Sequence, residues 1–88
     1  MPTSPSAAQR LARLEEIAEG LFTALADLRL TDARRKGRDS DVHYGQCHAL
    51  ANLGLIDAPR VQALDQQVAD AALSYFANTP TTEGATHG

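Results

Sequence analysis

This sequence predicts an all-α fold: a long N-terminal helix packed on an antiparallel hairpin of two further helices, paired as a homodimer. Three observations carry that expectation. Apolar residues recur at spacings of three and four through three separate stretches, each stretch opens on a residue that caps helices, and no alternating β-branched segment occurs in the 88 residues. The composition is globular but lean, with 43% apolar residues, four aromatic side chains and no tryptophan. A domain this small buries only ~60–65% of its unfolded surface, so association is a natural route to stability.

The first helix is expected over Ala7 to about Lys36. Ala7, Leu11, Leu14, Ala18, Leu21, Leu25 and Leu28 step alternately by four and three, the a/d pattern of a heptad, and Ile17, Phe22 and Ala24 widen it. A two-strand zipper keeps charges at those flanking positions, so the wider face suits a helix gripped by two or more neighbours. Ser6 is the expected N-cap, with Gln9 as capping-box partner. Gly37 closes the other end after Arg34, Arg35 and Lys36, cations that suit a helix C-terminus. Such a helix is ~45 Å long, more than one small core covers, so its ends are expected to meet a second copy. A break near Leu30-Thr31-Asp32, with Thr31 capping a new turn, is the alternative.

The second helix is expected over about Asp41 to Leu53, capped by Asp39 or Ser40 and ended by Gly54, with Leu50 and Leu55 touching across a Schellman motif. Asp57 then caps a third helix whose first turn tolerates Pro59. Val61, Leu64, Val68, Ala71 or Ala72, and Tyr75 form its apolar stripe, and it should fade by Asn78. The domain is thus expected at residues 7–77, with 1–6 and 78–88 as polar, unstructured tails. Gly20 and Gly45 lie inside helices, where each costs ~1 kcal/mol relative to alanine. A close crossing of Gly20 on Gly45, or the close approach of a second copy, would account for them.

Composition excludes several functions. Eight Lys and Arg against eleven Asp and Glu leave a formal charge of −3, without the broad positive field of a dedicated nucleic-acid or membrane-surface binder. Cys47 stands alone, so an internal disulfide and a CxxC motif are both ruled out. Neither a signal peptide nor a membrane span is evident, and a cytoplasmic protein is expected. Glu15, Glu16 and Glu19 read as a solvated face. No Gly-rich loop follows a strand, so no cofactor is expected.

The chemically richest segment is Val42-His43-Tyr44-Gly45-Gln46-Cys47-His48. His43 and Cys47 are four apart on a helix, and a soft metal could take both, with His48 or a second subunit completing the set. That is half a site, and packing is the expected role. Cys47 with His43 as base lacks an orienting carboxylate and an oxyanion hole, so catalysis is not expected. Arg29, Arg34, Arg35, Lys36 and Arg38 put five of the eight cations within ten residues, a candidate contact patch for a protein partner or for phosphates, diluted by Asp32, Asp39 and Asp41.

Leu50-Ala51-Asn52-Leu53-Gly54-Leu55 followed by a capped helix resembles the L-A-x-x-L-G-L pattern of the helix-turn-helix motif, one residue short. The resemblance implies a DNA-binding unit over residues 46–68, reading bases with Gln62, Gln66 and Gln67, although Asp65 and Asp70 accompany Arg60 there. Three functions follow. The leading expectation is a non-enzymatic adaptor, inhibitor or regulator that binds a protein partner through helix faces. A small DNA-binding regulator is the alternative, and a metal or ligand binder at His43, Cys47 and His48 the third.

Overall fold

The structure, a computed structural model, describes residues 6–78. It contains three helices and, among the described residues, no strand: α1 (Ala7–Lys36), α2 (Asp41–Asn52) and α3 (Ala58–Asn78). Of the tails expected at residues 1–6 and 78–88, residues 1–5 and 79–88 lie outside the described residues, while Ser6 caps α1 and Asn78 is the last residue of α3. Among those described, no helix is long and apolar enough to cross a membrane.

Helix α1 begins at the expected capping box. The Ser6 hydroxyl oxygen accepts from the Gln9 amide at 3.1 Å, and the Gln9 side chain accepts from the Ser6 amide at 2.8 Å. The helix then runs unbroken for 30 residues, so the break considered at Leu30-Thr31-Asp32 does not occur. It ends on Gly37 at φ 73°, and a Cβ there would meet the Tyr75 and Phe76 rings at 2.5 and 2.9 Å. Glycine is required twice over, by backbone conformation and by the closeness of α3. Ser40, rather than Asp39, caps α2. At the far end of α2 the Leu55 amide donates to Leu50 O and the Gly54 amide to Ala51 O, the paired bonds of the expected Schellman motif.

Helix direction follows from two contacts between α1 and α3. Arg60, at the start of α3, pairs with Glu19, and Gly37, at the end of α1, lies against Tyr75 and Phe76. Helices α1 and α3 therefore run in the same direction and α2 returns between them, giving the antiparallel α2/α3 hairpin. The core they enclose is Ala18, Phe22, Leu25 and Ala33 of α1, Cys47 and Leu50 of α2, Ile56 of the connection, and Val61, Leu64 and Val68 of α3. Each of its larger side chains contributes ~1.5–3 kcal/mol on burial.

Two consequences differ from the expected single wide seam. Every residue from 7 to 17 of α1 is exposed, because α3 begins only beside Glu19 and leaves about 16 Å of α1 standing beyond the bundle. The expected heptad row is also divided: Ala18 and Leu25 enter the core, while Leu14, Leu21 and Leu28 stay half-exposed. Gly20 and Gly45 do not cross, since a Cβ on either meets nothing within 4 Å.

Candidate functional site

Two features of the fold compete for a functional role: a polar cluster inside the bundle, and the outward face of α1. The cluster is centred on Arg29. It follows Leu25 by four residues and precedes Ala33 by four, so helical periodicity turns it inward with the core. Its side chain is 1% exposed, which removes Arg29 from the expected basic contact patch.

Burying a guanidinium demands counterions, and two are supplied. Arg29 Nε donates to Asp39 at 3.0–3.1 Å and Nη2 donates to Asp39 Oδ2 at 2.7 Å, a bidentate clamp on the loop between α1 and α2. Nη2 also donates to Asp65 Oδ1 of α3 at 2.8 Å. The other oxygen of Asp65 accepts from His48 Nε2 at 2.7 Å, and the His48 ring lies against Tyr44 with centroids 4.2 Å apart. The Tyr44 ring in turn sits 5.2 Å from the guanidinium carbon. Burial works against the charge on Arg29, but the hydrogen bonds it donates to Asp39 and Asp65 outweigh that and raise its pKa above the ordinary arginine value.

This arrangement reassigns the residues of the candidate metal site. Cys47 is fully buried beside Arg29, and burial pushes its thiol up in pKa even though the neighbouring guanidinium pulls it down. A thiol so held is a weak nucleophile and a poor ligand. His43 is half-buried, with Nδ1 enclosed and lacking a hydrogen-bond partner, and His48 is committed to Asp65. Among the described residues no group of three or more His, Cys, Asp or Glu side chains could hold a metal ion.

The remaining cations of the basic segment, Arg34, Arg35, Lys36 and Arg38, are exposed at the end of α1 and in the loop after it. Lys36 lies 3.8 Å from Asp32, and Asp32, Asp39 and Asp41 share a shallow hollow with Lys36 and Arg38, so the surface there is mixed in sign. On α3, Arg60 is clamped by both carboxylate oxygens of Glu19 at 2.6–2.7 Å, and the Gln66 amide donates to Asp70.

The outward face of α1 is different in kind. Leu14, Ile17, Leu21, Ala24 and Leu28 step by three, four, three and four along the helix, with Arg10 and Arg35 continuing the same register at its ends. This second heptad row lies roughly a quarter turn round from the core row. Its large members, with neighbouring Leu11, remain 46–57% exposed. No family model, curated protein or solved structure matches this chain.

Proposed function

We propose that the protein is a non-enzymatic interaction protein, an adaptor, inhibitor or regulator, that grips a protein partner with the outward face of α1. The observation that carries this reading is the apolar row from Leu14 to Leu28, ordered at heptad spacing on a helix that already buries another face. A scattered exposed leucine is ordinary, whereas a large contiguous apolar patch rimmed by polar residues marks a contact site. The buried, proton-retaining thiol of Cys47 and the pairing of Arg29 Nε and Nη2 with two carboxylates favour structural rather than catalytic roles for the polar cluster. Arg34, Arg35, Lys36 and Arg38 sit at the end of the same helix and would meet acidic groups at the rim of such a contact.

The DNA-binding alternative draws weaker support. The outward side of α3 offers one cation, Arg60, already held by Glu19, beside the acidic Asp70. The test is capture from nuclease-treated host lysate on the immobilised chain, compared with Leu14→Glu/Leu21→Glu. A stoichiometric protein retained by the native chain and lost by the variant is expected. Partners that vanish on nuclease treatment, with no effect of the substitutions, would overturn the reading in favour of nucleic acid.

A further inference from the structure

Resting on the reading of α1 as a protein-contact face, we infer that its occupant is a second copy of this chain, paired antiparallel through α1 with Gly20 beside the two-fold axis. Three features of α1 become intelligible together in that arrangement.

The first is the placement of charge. Arg13 and Asp27 each lie seven residues from Gly20, on opposite sides of it and on the same flank of the apolar row. Neither makes an ion pair among the described residues. Reversing a second helix about Gly20 sets Arg13 against the partner's Asp27 and Asp27 against the partner's Arg13, two complementary pairs from one symmetric operation. A parallel pairing would set each charge against its own like.

The second is the row itself. With the axis at the level of Glu19, one residue from Gly20, Leu14 falls opposite the partner's Ala24 and Ile17 opposite the partner's Leu21, so large residues meet smaller or complementary ones in successive layers, while Arg13, Gly20 and Asp27 face their mates along the flank. Leu28 falls opposite the partner's Arg10, over the open hollow that Gln9, Arg10, Arg13 and Leu14 line on α1. Five half-exposed large side chains per copy supply the apolar centre that a contact above the threshold of ~1,000 Å² requires.

The third is Gly20. It sits inside α1 at a cost, and apart from its own helical turn nothing among the described residues comes within 4 Å of where a Cβ would stand. On the flank of the row, at the point where the two helices are related by symmetry, the missing side chain lets the backbones approach. The overhang of residues 7–17 then lies along residues 21–31 of the partner instead of standing in water. Residues 79–88 carry no large apolar side chain and residues 1–5 carry only Met1, too little to cover the row.

Sedimentation of the full chain, with cysteine cross-linking in a Cys47→Ala background, tests this. Twice the chain mass of 9.4 kDa is expected at tens of micromolar, falling to the chain mass in Leu21→Glu with helix content unchanged. Arg13→Asp and Asp27→Arg should each weaken association several-fold, and the double exchange should restore it. Gly20→Cys should form an intermolecular disulfide readily, whereas Leu28→Cys should not, because only residues near the axis meet their own copy. A monomer at hundreds of micromolar overturns the proposal, as does a dimer indifferent to Leu21→Glu or one that cross-links equally through Leu28→Cys. A monomer that still captures another protein through Leu21 overturns the second copy while leaving the interaction reading in place. A monomer that captures nothing through that face ends both.

Discussion

Arg29 in α1 and Asp65 in α3 meet at 2.8 Å across 36 residues of sequence, and the other oxygen of Asp65 holds His48 of α2. With Asp39 clamping the same guanidinium, one buried cation ties all three helices and their first connection. The ties fix which residues of α1 face inward, and so leave the row from Leu14 to Leu28 outside.

Arg29→Ala should destabilise the fold by about 3–5 kcal/mol, because it strands two partly buried carboxylates. Asp65→Asn should cost less, about 1–3 kcal/mol, since Asp39 still satisfies the guanidinium. Urea unfolding followed by circular dichroism measures both. Equal effects would show that the clamp by Asp39 does not stand on its own.

Cys47 should resist alkylation in the folded protein and react once it is unfolded, at a rate that follows unfolding. Its folded pKa is raised by burial, so the unfolded chain ionises first as pH increases. The associated stability is present below the ordinary thiol value of about 8.5 and is lost as pH climbs through and above it. Unfolding curves at pH 7 and pH 10 for native protein and Cys47→Ala check this: the native chain should lose more stability between the two pH values than the variant.

The turn glycine Gly37 and the helix glycine Gly45 should respond in opposite directions. Gly37→Ala should cost about 2 kcal/mol or more, from the left-handed backbone and the rings of Tyr75 and Phe76. Gly45→Ala, at an open interior position of α2, should instead stabilise by about 0.5–1 kcal/mol. Thermal melts at one protein concentration distinguish these signs.

The Glu19 and Arg60 pair should be weak and salt-dependent, being exposed. The hydrogen bonds from Arg60 lower the pKa of Glu19, so its contribution is present above the ordinary carboxylate range and fades as pH falls below it. The difference between native protein and Glu19→Gln should shrink both at low pH and at high salt.

Much of this architecture is legible in the sequence. The capping box at Ser6 and Gln9, the stop at Gly37 and the Leu50/Gly54/Leu55 turn are local chemistry, and each holds in the structure. Arg29 was harder to place because reading it as one of five neighbouring cations groups it by sequence distance, whereas the helix groups it with Leu25 and Ala33. The signal available was its register four residues beyond Leu25, together with Asp65 next to Leu64 on the apolar stripe of α3. The division of the leucine row was not legible. Ala18 and Leu25 differ from Leu14, Leu21 and Leu28 only in where α2 and α3 come to rest, and no local pattern records that.

Native-state hydrogen exchange along α1, followed against protein concentration, tests most directly that its outward face is a contact surface. The amides of residues 7–17 belong to an overhang that no other helix among the described residues covers, so alone they should exchange almost as fast as a fraying helix. The account predicts that they become protected as concentration rises, and that Leu21→Glu removes the protection without altering exchange in α3. Fast exchange at every concentration, identical in native protein and variant, would contradict it.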